Sequence, residues 1–455
     1  MLQLQCHAYR SLLNAWHSLI HTLPMSETAA PQRLADPLKS RKRLSTALFL
    51  AGFVLRFGFV LWQRTYIQWP GKAYPFAMEV SSIAAHLARG QGYSSPFLHD
   101  TGPTAWVSPV YPILVAAVFK VFGIYSNASA LVILGLQCAM AAATGVLIYA
   151  LGKRTLGEKI GLSAAWIWTF CPIFFRWPAS WIWDFAASAL LLVGLLLISL
   201  RVAESGSRKH WLLLGTVWGV AALTNPALLS ILPFTFGYAA FGNDRNGRKW
   251  LTNLACSVLL ILAIVSPWAI RNEVVFGHPI LLRSNFWFEF HLGNYHYSNG
   301  MGYLGFHPGA NPRELRRYAE LGEQGYVQWA KSAAMDFLRQ HPREFAELTL
   351  DRTLWFWDGT SILYQGDEWW RPWKFWPLSV TAWLGFIFLL TRRPRGWPLY
   401  AACLIVYPLP YYFVYPVAKY RYAIEPEMLL LTIYLGSVLW SELSIWRAAR
   451  DSASA

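Results

Sequence analysis

"SPVYPILVAAVFKVFG", residues 108–123, decides how this chain is threaded. The run is apolar, but it is only about 15 residues long, opens beside Pro109 and Pro112, and carries Lys120. A helix crossing a ~30 Å hydrocarbon layer needs about 20 predominantly apolar residues. Read as re-entrant or interfacial, the run leaves ten longer ones to alternate across a bilayer: 44–62, 128–151, 160–177, 184–200, 210–224, 226–241, 251–270, 374–391, 397–414 and 424–441. The basic clusters "GKRTLGEK" (152–159), "RVAESGSRKH" (201–210), "NDRNGRK" (243–249), "TRRPRG" (391–396) and "WRAAR" (446–450) then all fall on one side. That satisfies the excess of Lys and Arg in cytoplasmic loops. If 108–123 spans, the next three clusters cross to the other side. The charge pattern therefore predicts about ten spans with both ends cytoplasmic.

Composition agrees with a membrane chain. The 455 residues are 55% hydrophobic, 16% aromatic and 14% charged, with 25 tryptophans. A soluble domain carries about 25% charged residues. The net charge of +15 sits in short clusters between apolar runs, which fits an anionic leaflet and not nucleic acid. Cys6, Cys138, Cys171, Cys256 and Cys403 are scattered without a CxxC and read as small hydrophobes. Residues 1–24 lack the apolar core and cleavage site of a secretory signal, and Met25 offers an alternative start.

The resulting organisation is a cytoplasmic segment 1–43, a transmembrane module 44–270 with an outer loop 63–107, an extracytoplasmic helical domain 271–373, C-terminal spans 374–441 and a tail 442–455. In the outer domain Asn311 is placed to cap a helix beginning at Pro312, and "HP" at 341–342 marks the next helix start. No pair of matched Gly/Pro-broken spans marks a transporter, and no GxxxxGK[ST] loop is present.

Within the outer loop, "AYPFAMEVSSIAAHLARG" (73–90) puts Val80, Ile83, Ala84, Leu87 and Ala88 on one helical stripe, with Glu79, Ser82, His86 and Arg89 opposite. Bounded by Pro75 and Gly90, it predicts an amphipathic helix lying on the membrane surface. A second acid, Asp184 in "RWPASWIWDF" (176–185), falls at an outer span junction. Ionisable groups so close to hydrocarbon are costly and mark function.

"IAAHLARGQGYSSPF" (83–97) and "TGPTAWVSPVYPILVAAVFKVFG" (101–123) resemble the polyprenyl-phosphate-sugar-dependent glycosyltransferases of the GT-C superfamily. Bacterial proteins similar to protein O-mannosyltransferases and to the lipid A aminoarabinose transferase are the nearest in pattern. "ALTNPALLSILP" (222–233), "SPWAIRNEVVFGHPILLRSNFWFEFHLGN" (266–294), "HPREF" (341–345) and "KYRYAIEP" (419–426) continue the resemblance. It implies an all-α polytopic bundle, in the inner membrane of the cell, that moves a sugar from a polyprenyl phosphate to a lipid, glycan or protein acceptor at the outer face. The family's first-loop acid is commonly an Asp-Glu pair. Here it reads Met78-Glu79, so the role carries over to Glu79 alone.

On that reading Glu79 is the base that takes the acceptor proton in an inverting displacement, and Asp184 orients the acceptor or holds a cation. Lys419 and Arg421 meet the leaving phosphate, flanked by Tyr420, with Arg271 and Arg283 as further cations. His86, His291 and Asn294 are expected at the substrate. The chemistry needs no cofactor and admits a divalent cation. His278, His291, His296 and His307 form no metal-ligand spacing, so no metal site is expected. A lipid-linked saccharide flippase or transporter, and a polysaccharide ligase or polymerase, are the competing readings.

Overall fold

The computed structural model describes residues 37–67, 76–97, 99–242, 249–359 and 372–454. The expectations for residues 1–24, Cys6, Met25, Pro75, the cluster from Asn243 to Arg248 and the end of the outer domain at 360–371 fall outside the described residues. The chain divides after Ser45, and of Met1–Ser45 only the start of one helix is described. The site below lies within Thr46–Ala455.

The N-terminal half runs through α1 (Pro37–Gln63), α2 (Met78–Ala88), α3 (Val110–Phe122), α4 (Asn127–Thr155), α5 (Glu158–Phe170) and α6 (Arg176–Ser180). It continues with α7 (Phe185–Ser205), α8 (Arg208–Thr224), α9 (Leu232–Phe241) and α10 (Lys249–Phe276). After these come α11 (Phe286–Gly293), α12 (Pro312–Gln340) and α13 (Pro342–Asp358). The chain closes with α14 (Pro372–Arg392), α15 (Trp397–Ala401), α16 (Leu409–Phe413) and α17 (Glu425–Ser454). Among the described residues extended pairing is limited to the isolated bridges Phe76–Ile182 and Ser94–Pro103. This is an all-α polytopic membrane protein.

Six helical stretches among the described residues are long and apolar enough to cross a membrane: Lys42–Gln63, Asn127–Thr155, Phe185–Ser205, Lys249–Phe276, Phe375–Arg392 and Ala418–Ser452. Of the other four runs expected to span, 210–224 and 226–241 are helical throughout but in helices of 17 residues or fewer, while 160–177 and 397–414 are interrupted beside prolines. Pro172 follows the end of α5, and in 397–414 α15 opens with Pro398 in its first turn and runs directly into a π-turn, after which Pro408 and Pro410 start α16. The 13 residues of α3 reach only ~20 Å, in keeping with the non-spanning reading.

Helices meet through small residues, since packing and not water release drives association in lipid. A Cβ on Gly152 of α4 would stand 2.5 Å from the Gly161 Cα of α5, so both positions require glycine. Residues of three of the basic clusters meet at one end of α7. Arg154 and Arg395 both pair with Glu204, at 3.0 and 3.2 Å. The 21 residues of α7 carry Asp184, at the opposite end, ~30 Å away.

In the outer segment, the Asn311 side chain accepts from the Arg313 amide at 2.9 Å and caps α12, and α13 begins at Pro342, both as the sequence predicts. The amphipathic helix α2 differs from expectation: it does not lie on a surface. Ser82 and His86 on its polar side are buried along with Val80, Ile83 and Ala84 of the apolar stripe. Residues after Gly90 and Gly92, both at positive φ, turn back over it, and Ser82 Oγ donates to the Ser95 carbonyl at 2.6 Å.

Candidate functional site

Glu79 occupies the first turn of α2, and Asp184 is the N-cap residue of α7. A parallel bridge between Phe76 and Ile182 ties the two acid-bearing segments together. Gln137 of α4 fixes the second segment from beneath. Its Nε2 donates to the carbonyls of Pro178 (2.9 Å) and Trp181 (3.0 Å), and its Oε1 accepts from the Trp183 amide (3.1 Å) and from Tyr111. A buried glutamine with both ends satisfied is a rigid template.

A cavity of about 580 Å³ opens between these segments, lined by Glu79, Asp184, Arg283, Glu289, Lys419 and Tyr420 among others. That volume suits a small-molecule head group. Lys419 Nζ lies 5.2 Å from the Trp183 ring centre and 5.9 Å from that of Trp181. Neither Lys419 nor the exposed Arg283 is committed to a hydrogen bond or ion pair with a described residue. Glu289 is engaged, accepting from Tyr415 Oη at 2.5 Å and Asn285 Nδ2 at 2.8 Å.

The two expected acids sit in opposite electrostatic settings. Burial pushes the Glu79 carboxyl up, but the hydrogen bond from His307, helped by Lys419, outweighs it and holds Glu79 below its ordinary range. His307 Nε2 stands 3.0 Å from Glu79 Oε1. The Gly309 amide donates to His307 Nδ1 at 3.1 Å, which leaves Nε2 as the nitrogen that donates to Glu79. Burial drives Asp184 the other way, up to about 7, in spite of Arg283, Lys419 and a 3.4 Å hydrogen bond from Ser188 Oγ.

Five of the ten residues singled out from sequence line this cavity: Glu79, Asp184, Arg283, Lys419 and Tyr420. The other five are placed elsewhere. Arg421 is buried, donating to the Trp357 carbonyl (2.9 Å) and Ser379 Oγ (2.7 Å) beside Glu425. Arg271 donates to the carbonyls of Thr104 and Tyr93, both at 2.7 Å, and so pins the first loop. His86 folds onto its own helix, with Nδ1 2.9 Å from the Ser82 carbonyl. Asn294 donates to the carbonyls of Phe290 (2.7 Å) and Phe413 (2.9 Å) and accepts from buried Arg352. His291 is buried against Phe306, where burial and Arg317 push its pKa down to about 4.

Sequence reasoning missed His307, Gln137 and Glu323. Glu323 accepts from the Ala105 amide (2.8 Å), Ser284 Oγ (2.7 Å), Tyr318 Oη (2.9 Å) and Thr104, joining the first loop to the segment that carries Arg283. Their partners lie far off in sequence, so no local pattern announces them. Met78, where the family commonly has an acid, packs its sulfur against Gly309 and among Phe97, Trp106 and Phe288. It supports the turn that presents His307.

Residues 106–270 match the family model of dolichyl-phosphate-mannose-protein mannosyltransferases. Among solved structures, the archaeal oligosaccharyltransferase AglB from Archaeoglobus fulgidus, in complex with an inhibitory peptide and a dolichol-phosphate, superposes with a TM-score of 0.53. It is 12% identical, over 91% of this chain and 52% of that one. The Archaeoglobus fulgidus oligosaccharyltransferase in its apo form gives 0.52 at 14% identity, over 91% and 52%. ArnT from Cupriavidus metallidurans bound to undecaprenyl phosphate is 15% identical over 88% of this chain and 77% of that one, with a TM-score of 0.38. The chain spans about half the length of the oligosaccharyltransferase chains it matches. No curated protein sequence matches it. The family model covers little more than a third of the chain, and the superpositions show that its fold is shared with these membrane oligosaccharyltransferases.

Proposed function

We propose that this chain is a GT-C superfamily glycosyltransferase that transfers a sugar from a polyprenyl phosphate to a hydroxyl acceptor at the extracytoplasmic face of the inner membrane, with inversion. The observation that carries the reading is the cavity itself, where two carboxylates with opposed pKa shifts and two uncommitted cations face one space. The acceptor oxygen attacks the anomeric carbon, the bond from that carbon to the phosphate oxygen breaks, and the acceptor proton passes to a carboxylate. Glu79, ionised at neutral pH and aimed by His307, is the base in this reading. Lys419 and Arg283 receive the negative charge that develops on the departing polyprenyl phosphate. Arg421 and Arg271 act instead as struts for the walls.

A second assignment is favoured by one observation. A general base works best with a pKa near the operating pH, and Asp184 is the carboxyl pushed up to about 7. In this version Asp184 takes the proton and Glu79 orients the acceptor.

The test is transfer of a labelled sugar from polyprenyl phosphate in proteoliposomes, followed by mass spectrometry of surface glycans with and without the gene. Transfer lost in Glu79→Gln or Asp184→Asn with the fold retained supports the reading and ranks the two acids. Full transfer in both variants overturns it, and movement of the lipid-linked sugar across the bilayer without transfer would favour the flippase.

A further inference from the structure

His296 follows α11, whereas His341 and Glu344 lie at the junction of α12 and α13. The fold brings the three together, away from the cavity described above. His296 Nδ1 is 3.7 Å and His341 Nδ1 3.6 Å from the same oxygen, Glu344 Oε2. The three ligand atoms all lie within 4.8 Å of one another.

These separations are too long for hydrogen bonds. They are close to the ligand-to-ligand edge of a tetrahedral zinc site, roughly 3.3–3.6 Å when the metal bonds are ~2.0–2.2 Å. Neither imidazole is committed to a side-chain hydrogen bond with a described residue. The two rings face each other at 4.5 Å, and half of the His296 side chain is open to solvent, so its rotation closes the widest edge and leaves a path for an ion. Two neutral imidazoles and one carboxylate are a donor set that holds zinc with a fourth position for water.

We infer that His296, His341 and Glu344 bind a zinc ion that clamps the segment following α11 to the α12–α13 junction. Since α11 carries Glu289 on the cavity wall, the clamp steadies that wall from behind.

The experiment uses the full chain in detergent, stripped with a chelator and titrated with zinc against a chromophoric competitor. Cobalt serves as the spectroscopic probe of a tetrahedral site. We expect about one equivalent of tight binding, a tetrahedral cobalt spectrum, and a zinc-dependent rise in melting temperature. His341→Ala and the conservative Glu344→Gln each weaken binding about tenfold or more and abolish the thermal shift. Zinc affinity unchanged in both variants, or no binding above that of the double variant, overturns the inference. These outcomes need no knowledge of sugar or acceptor, so they stand or fall separately from the transfer reading.

Discussion

Glu79 Oε1 and His307 Nε2 meet at 3.0 Å although 228 positions separate them in the chain. The imidazole holds one carboxylate oxygen, and the carboxylate also takes a hydrogen bond from its own backbone amide. Removing the ring therefore does two things: it frees the carboxylate to rotate, and it leaves burial as the main influence on its pKa. His307→Ala should lower kcat by about 10–100-fold, and the acid limb of the rate profile should move to higher pH. His307→Gln, which restores an N–H donor, should recover part of the loss. The sign for stability follows from the lowered pKa. The pair stabilises the fold above the ordinary carboxylate range and is lost as pH falls through the Glu79 value. A pH series of melting temperatures and rates checks both.

Asp184 behaves oppositely. Its folded pKa of about 7 lies above the unfolded value, so ionising it costs stability as pH rises towards and through 7. Asp184→Asn should melt higher than the parent at pH 8, with the gap closing as pH falls to about 4, while transfer falls about a hundredfold or more. If Asp184 is the base, the parent's rate rises with a midpoint near 7 and that limb vanishes in the variant. If Glu79 is the base, the acid limb lies below the ordinary carboxylate range and survives in the variant at reduced amplitude.

Lys419 and Arg421 are two residues apart but have different jobs. Lys419 is uncommitted in the cavity, so Lys419→Ala should cut donor turnover by about 10²–10³-fold with little change in yield or melting temperature. Arg421 is 1% exposed and bonded to Trp357, Ser379 and Glu425. Arg421→Met should cost about 3 kcal/mol or more by leaving buried partners unpaired. Melting curves separate it from Lys419→Ala, whose defect is kinetic.

Sidedness has its own test. A cysteine introduced at the exposed Arg313, in the outer helical segment, should react with an impermeant thiol reagent in intact cells. One at the exposed Arg450 should react only after permeabilisation. The reverse pattern would move the cavity to the cytoplasmic face and remove the topological basis of the mechanism.

How much of this was legible before any coordinates follows from the range of each interaction. Hydropathy and charge are local sums, so the apolar runs, the clustered basic ends, the short run at 108–123 and the Asn311 cap could be read from the sequence by itself. So could Glu79, Asp184 and Lys419, each an ion set beside hydrocarbon, where its cost makes it conspicuous. The lengths of 160–177 and 397–414 could not, because prolines decide where an apolar run stops being one helix. Tertiary structure alone decided which cations remain uncommitted, that α2 is roofed on its polar side, and that Met78 supports the turn presenting His307 to Glu79. Each of these depends on groups brought together by packing across tens or hundreds of positions, and no periodicity within a single helix encodes such a meeting.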